Sequence, residues 1–176
     1  MRYVWLILFL LTIPAANWLI GNVGECVFNG PCLVPVWPGV MAPSGVVMAG
    51  VALVLRDFVH EQLGAKWAIA AIVIGAALSF FIAPPMLAVA SASAFLMSEL
   101  IDLSVYAPLR KKGFVAALVG SSLVGAIVDS AAFLLIAFGS VAYLPGQVIG
   151  KAWAIVFIAT IYKAISKNIT GNPNAA

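Results

Sequence analysis

Met86–Leu109, MLAVASASAFLMSELIDLSVYAPL, is the stretch whose reading decides the class of this protein. It is a continuous apolar run, long enough to cross the hydrocarbon core of a bilayer, which takes ~20 helical residues. Yet Glu99 and Asp102 stand inside it. A charged side chain at the centre of a membrane helix costs about 2.5–3.5 kcal/mol on the insertion scale. Two carboxylates at i, i+3 share one helical face, so this run reads as a membrane helix that turns a polar stripe toward the inside of a bundle.

The rest of the chain is of the same kind. Its 176 residues are 64% hydrophobic and 9% charged, against roughly 45–50% and ~25% in ordinary globular proteins. A mean hydropathy of +1.14 leaves too little polar surface to coat a soluble particle. That excludes a cytosolic enzyme, a nucleic-acid-binding module and a disordered chain. The net charge of +3 sits mostly in short loops, where it encodes topology and builds no phosphate-binding face.

Turn signals and charges cut the chain into six apolar runs, Tyr3–Ile20, Ser44–Gln62, Lys66–Ile82, Met86–Leu109, Val115–Phe138 and Gly146–Ile165. Between the first two stand Pro31, Pro35, Pro38 and Pro43, none suited to a helix interior. Pro84-Pro85 closes the third run, because a residue before proline avoids the helical region. Arg2, Lys66, Arg110, Lys111, Lys112, Lys163 and Lys167 fall on one side of six spans, and residues 21–43, 83–85 and 139–145 hold no Lys or Arg. The positive-inside rule then places both termini in the cytoplasm. The expected fold is all-α: a single six-helix membrane domain over residues 1–168, then a short flexible tail at 169–176. Met1-Arg2, an apolar stretch and Pro14-Ala15-Ala16 also resemble a secretory signal, but Asn17-Trp18-Leu19-Ile20 extend the run beyond a typical signal.

Charges recur inside the spans. The second holds Arg56, Asp57, His60 and Glu61, the fourth Glu99 and Asp102, the fifth Asp129 and the sixth Lys151. At a rise of ~1.5 Å per residue, Arg56 and Asp57 lie ~18–20 Å from the outer end of their span, Glu99 ~21 Å and Asp102 ~26 Å. These share a level, with His60 and Glu61 slightly deeper. Asp129 and Lys151, ~15 Å and ~9 Å down, form a higher pair. Two carboxylate faces with an arginine between them read as a buried polar site on the bundle axis, or as a network pinning helices together. Glu61 has a simpler alternative, snorkelling to the cytoplasm, and Asp129 with Lys151 another, a plain ion pair. Glu99 and Asp102 stand side by side with few nearby cations, an arrangement that would serve proton coupling.

Small residues are the second signal. Ala88-Val89-Ala90-Ser91-Ala92-Ser93-Ala94 and the set Gly120, Ser121, Ser122, Gly125 and Ala126 allow close helix approach, so the fourth and fifth spans are expected to cross there. Cys26 and Cys32 share an outer loop, where an oxidising exterior permits either a disulfide or free thiols. Two cysteines make no Cys-based zinc site, and neither metal nor cofactor is expected.

Three blocks carry a resemblance to a known family. Asp57-Phe58-Val59-His60-Glu61-Gln62-Leu63-Gly64 holds an Asp, a Glu four residues on and a Gly three further. Ala94-Phe95 leads to Ser98-Glu99 and Asp102, followed by Val105-Tyr106. Ser121-Ser122 precedes Asp129-Ser130 and Phe133, with Ala137-Phe138 closing the span. With the six-span layout, these blocks make the chain similar to the queuosine precursor transporters, also described as vitamin-uptake-transporter-like membrane proteins. The resemblance implies import of cyano- or aminomethyl-substituted 7-deazaguanine bases across the inner membrane.

The residues can be asked what such a substrate needs. A guanine-like edge offers two adjacent donors that one carboxylate accepts together, a role open to Glu99, Asp102 or Asp129, with Asp57 in the same polar level. Lys151 or Gln147 would donate to the base carbonyl. Phe95, Phe133 and Trp153 lie on the right spans to stack on a flat ring. Arg56, His60, Glu61 and Ser98 complete a buried polar network.

Rival functions divide on other features. A substrate-binding subunit of an energy-coupling-type vitamin importer fits the small size and six spans. The chain has no Walker-type phosphate loop, so any ATP use would come from a partner. An intramembrane enzyme lacks a nucleophile–base set, with a single His in the chain. A purely structural protein would have little use for so many intramembrane carboxylates. The expected contacts are therefore a small purine-like molecule and the bilayer, with a second copy or an energising partner as further possibilities.

Overall fold

The computed structural model describes residues 3–28, 30–82 and 85–170. Among these, six α-helices follow one another: α1 (Tyr3–Asn22), α2 (Val46–Leu63), α3 (Ala65–Ile82), α4 (Pro85–Leu109), α5 (Phe114–Phe138) and α6 (Leu144–Thr170). Each lies within a few residues of an apolar run. Helix α2 ends where Gly64 takes φ of 89° and its N–H bonds back to His60 O, the glycine stop expected at a helix C-terminus. Gly139, at φ of 63°, ends α5 in the same way. The expected tail falls mostly on residues 171–176, outside the described residues.

Five of these helices, α1, α3, α4, α5 and α6, are long and apolar enough to cross a membrane. Their outward faces present large apolar side chains such as Leu11, Phe81, Val89 and Phe157, each more than half exposed. Such a girdle suits lipid and not water. The protein is therefore a multi-pass membrane protein.

Helix α2 differs because Arg56, Asp57 and Glu61 lower its hydropathy. It is also the most enclosed: every residue from Ala52 to Val59 is buried, so all its faces meet protein. Helices α1, α3, α4, α5 and α6 all pack on it. A helix walled by other helices does not need lipid-soluble side chains, which explains how the most charged run comes to occupy the centre.

Helices α4 and α5 pack together most extensively. Gly125 lies so close to Asp102 that a Cβ there would meet the Asp102 Cβ at 2.9 Å, as the small-residue stripes lead one to expect. Helix α1 is an integral wall of the bundle. Phe9 is wholly buried, and Trp5 stacks on Phe58 with ring centroids 4.7 Å apart.

The all-α expectation needs one correction. The loop between α1 and α2 forms a three-stranded antiparallel sheet, β1 (Glu25–Cys26), β2 (Cys32–Trp37) and β3 (Val40–Pro43), in the order β1-β2-β3. Prolines bar a helix here but not an extended chain, and Pro35 sits at a register irregularity of β2. Cys26 and Cys32 face each other across β1 and β2 and are joined by a disulfide. The sheet covers one end of the bundle. Gly146 of α6 approaches the backbone of Met41, and Ser44 Oγ donates to Leu19 O at 2.6 Å. The basic turn Arg110–Lys112 lies at the opposite end.

Candidate functional site

A partly open cavity of about 100 Å³ lies in the sheet-end half of the bundle. All six helices and the end of β3 contribute to its wall. Phe95 from α4 and Phe133 from α5 supply aromatic surface, Asp129 a carboxylate and Gln147 an amide. Thr12 and Asn17 of α1, Ser79 of α3 and Ser91 of α4 add small polar groups to an otherwise aliphatic lining. Phe95 can approach α3 closely because residue 75 is glycine: a Cβ there would stand 2.9 Å from the ring.

Asp129 is the charged group of this cavity. Lys151 of α6 is salt-bridged to its Oδ2 and also donates to Ser130 Oγ at 2.8 Å. Its Oδ1 receives only a long contact from Ser98 Oγ, at 3.5 Å. One carboxylate oxygen is therefore fixed by an ammonium group, and the other is open to a donor arriving in the cavity. Lys151 is itself buried and engaged, so its part is to hold Asp129 and not to face the cavity.

A second polar level lies further from the sheet. Arg56 of α2 bonds Asp57 Oδ1 through Nη1 at 2.5 Å and Glu99 Oε2 through Nε at 2.8 Å, and its Nη2 is paired with Asp102. All four side chains are fully buried. Ser121 and Ser122 of α5 approach Asp57 Oδ2 at 3.5 and 3.4 Å. The planar guanidinium has donors enough to engage three carboxylates at once, which an ammonium could not match in geometry. The arginine expected between the carboxylate faces is there, and Arg56 binds both Glu99 and Asp102. Neither residue, nor Asp57, lines the cavity.

At the end opposite the sheet, Glu61 is held by Arg110 through both oxygens and accepts from Tyr106 Oη at 3.1 Å. The His60 ring packs edge-on against Tyr106 with centroids 5.0 Å apart. Glu61 thus ties α2 to the end of α4 where free snorkelling was the simpler expectation.

The structure brings Phe95, Phe133, Asp129 and Gln147 together at the cavity, with Lys151 and Ser98 directly behind Asp129. It gathers Arg56, Asp57, Glu99 and Asp102 into a separate closed cluster. Trp153 belongs to neither: it is half exposed, stacks on Trp37 with centroids 6.0 Å apart, and donates through Nε1 to Val36 O at 3.2 Å. An amphipathic indole at the rim of an apolar girdle is well placed there. Sequence reasoning missed the wall from α1. Thr12, Ala16 and Asn17 are small or weakly polar residues in an apolar run, and their only signal is that Thr and Asn interrupt it.

No curated protein and no solved structure matches the chain. A match to a family does exist, over residues 79–171, which take in α4, α5 and the whole of α6. That segment carries Phe95, Ser98, Glu99, Asp102, Asp129, Phe133, Gln147 and Lys151, and is more than half the chain. The chain belongs to the family described as putative vitamin uptake transporters.

Proposed function

We propose that this protein imports a flat, purine-like base, a 7-deazaguanine precursor of queuosine, across the inner membrane, and that the cavity is its binding site. The observation that carries this reading is the meeting of Asp129, Gln147, Phe95 and Phe133 around one cavity. The open Oδ1 of Asp129 accepts from the ring N–H and exocyclic amine of the base. Gln147 donates to the base carbonyl, and the phenyl rings stack against the heterocycle. Ligand pockets are commonly built this way, from apolar walls and a few placed polar groups.

In this reading all six helices span the bilayer with both termini in the cytoplasm, so the sheet and the half of the bundle that holds the cavity face outward. Two independent features support that orientation. Basic residues cluster at the end opposite the sheet, and the Cys26–Cys32 disulfide suits an oxidising exterior. The Arg56 cluster and the Glu61–Arg110 pair then lie between the cavity and the cytoplasm.

The test is expression of this chain alone in a bacterial strain that neither makes 7-deazaguanine nor imports it. With a low concentration of precursor supplied, queuosine should return to tRNA, and Asp129→Ala should abolish its return at equal membrane levels. Protein present in the membrane with no restoration would contradict the assignment.

A further inference from the structure

Three carboxylates surround one guanidinium in the closed cluster, so with every group ionised it carries two negative charges in excess. An uncompensated charge taken out of water carries a heavy desolvation penalty. Asp57 has a contact on each oxygen, Arg56 on Oδ1 and the longer approaches of Ser121 and Ser122 on Oδ2. Glu99 Oε1 and both oxygens of Asp102 are buried without a hydrogen bond, Asp102 having only its ion pair with Arg56 Nη2. The oxygens without a donor thus lie on the two carboxylates of α4.

We propose that Glu99 and Asp102 form a proton-binding site that couples substrate import to the transmembrane proton gradient. This rests on reading the protein as an importer with the cavity as its substrate site. A proton suits the cluster better than a metal cation. Arg56 already occupies its centre, and among the described residues no group of three or more His, Cys, Asp or Glu is placed to hold a metal ion.

The pair begins one helical turn beyond the cavity wall, with Glu99 at i+4 from Phe95 on α4. Asp129 lines the cavity, Ser98 Oγ lies 3.5 Å from its Oδ1, and Ser98 precedes Glu99 in the chain. A proton entering from the cavity side neutralises a carboxylate of the α4 pair. It leaves toward the cytoplasm on the Glu61–Arg110 side of the cluster.

The groups facing the pair come from every neighbouring element. Helix α2 brings Arg56 and Asp57, with His60 and Glu61 a turn further on, and α4 itself adds Tyr106. Helix α5 brings Ser121, Ser122 and Asp129. Helix α6 brings Lys151, engaged by Asp129 and Ser130, and Arg110 is taken by Glu61. Helix α1 has no charged residue, and α3 has Lys66 at its far end.

The test uses the whole chain in liposomes with 7-cyano-7-deazaguanine, an uncharged probe, and the membrane potential clamped. Exchange of labelled for unlabelled base needs no driving force and checks the importer reading by itself. An outward-acid gradient should then drive accumulation by about tenfold per pH unit for each proton carried, abolished by a protonophore. Exchange without any response to the proton gradient, or accumulation driven by a sodium gradient, would overturn the proposal and leave the importer reading standing. Absence of exchange would overturn the reading and the proposal with it. A substrate-free measurement keeps the site itself in question: infrared difference spectra on a pH step should show the C=O stretch of neutral carboxylic acids, altered in Glu99→Gln and Asp102→Asn. Spectra of wild type and both variants that coincide would overturn the assignment to this pair.

Discussion

Arg56 is the residue on which the interior depends most, because it holds carboxylates from two helices at once. Removing one partner of a buried ion pair leaves an uncompensated charge and costs about 3–5 kcal/mol. Arg56→Met should therefore lower the melting temperature of the detergent-solubilised protein sharply. Arg56→Lys should recover only part of the loss, since an ammonium cannot present the guanidinium's fork of donors. Melting of both variants like wild type would show that the cluster contributes nothing to the fold. At this scale the sequence was most legible where charge interrupts an apolar run. Glu99, Asp102, Asp129 and Lys151 stand out by cost alone, and helical rise orders them by depth. The division into an open cavity and a closed cluster was not legible, because depth along a helix says nothing about which neighbour fills the space between. Trp153 was misplaced for a related reason: an aromatic residue on the right span carries no mark of the face it occupies.

The helices are held at distances set by their smallest residues. Gly50 of α2 lies against α6, where an added Cβ would stand 2.8 Å from the carbonyl oxygen and 2.9 Å from the Cα of Lys151. Backbone cannot yield there, so Gly50→Ala should destabilise by about 1–3 kcal/mol, the usual cost of overpacking. Gly120 of α5 offers a contrast, because its added Cβ would meet only the end of the flexible Leu109 side chain. Gly120→Ala should be near neutral or stabilising, since alanine gains up to about 1 kcal/mol of helix propensity over glycine. Thermal melts of the two variants in one detergent check this; equal losses would mean that the α2–α6 approach is not the tight one. Helix boundaries were legible because prolines, glycines and basic clusters punctuate the chain. The sheet was not. Strands of two to six residues crossed by Pro35 give no periodic pattern, and their pairing comes from the hairpin geometry and the Cys26–Cys32 link.

At the scale of the whole molecule, polar levels succeed one another from the sheet end to the basic end: an open cavity at Asp129, a closed cluster at Arg56, and an interhelical pair at Glu61 and Arg110. A cavity in one half of the bundle, with closed polar contacts in the other half, suits one state of an alternating-access cycle. The orientation assigned to it makes a direct prediction. With Cys26 and Cys32 replaced by serine, a thiol at Ser140→Cys should react with a membrane-impermeant maleimide in intact cells. One at Lys111→Cys should react only after the membrane is opened. The reverse pattern would invert the cavity and contradict import. Charge asymmetry is the sequence's argument for this orientation, whereas the meeting of Glu61 with Arg110 across a separation of 49 residues was not legible.

The central claim is that a purine-like base occupies the cavity against Asp129. Calorimetric titration of the purified chain with 7-cyano-7-deazaguanine tests it most directly. The account predicts one site per chain, weakened about 10- to 100-fold in Asp129→Asn, the loss expected when a charged hydrogen-bond acceptor of about 1.5–3 kcal/mol is removed. Equal affinity in wild type and variant, or no binding by the wild type, would contradict it.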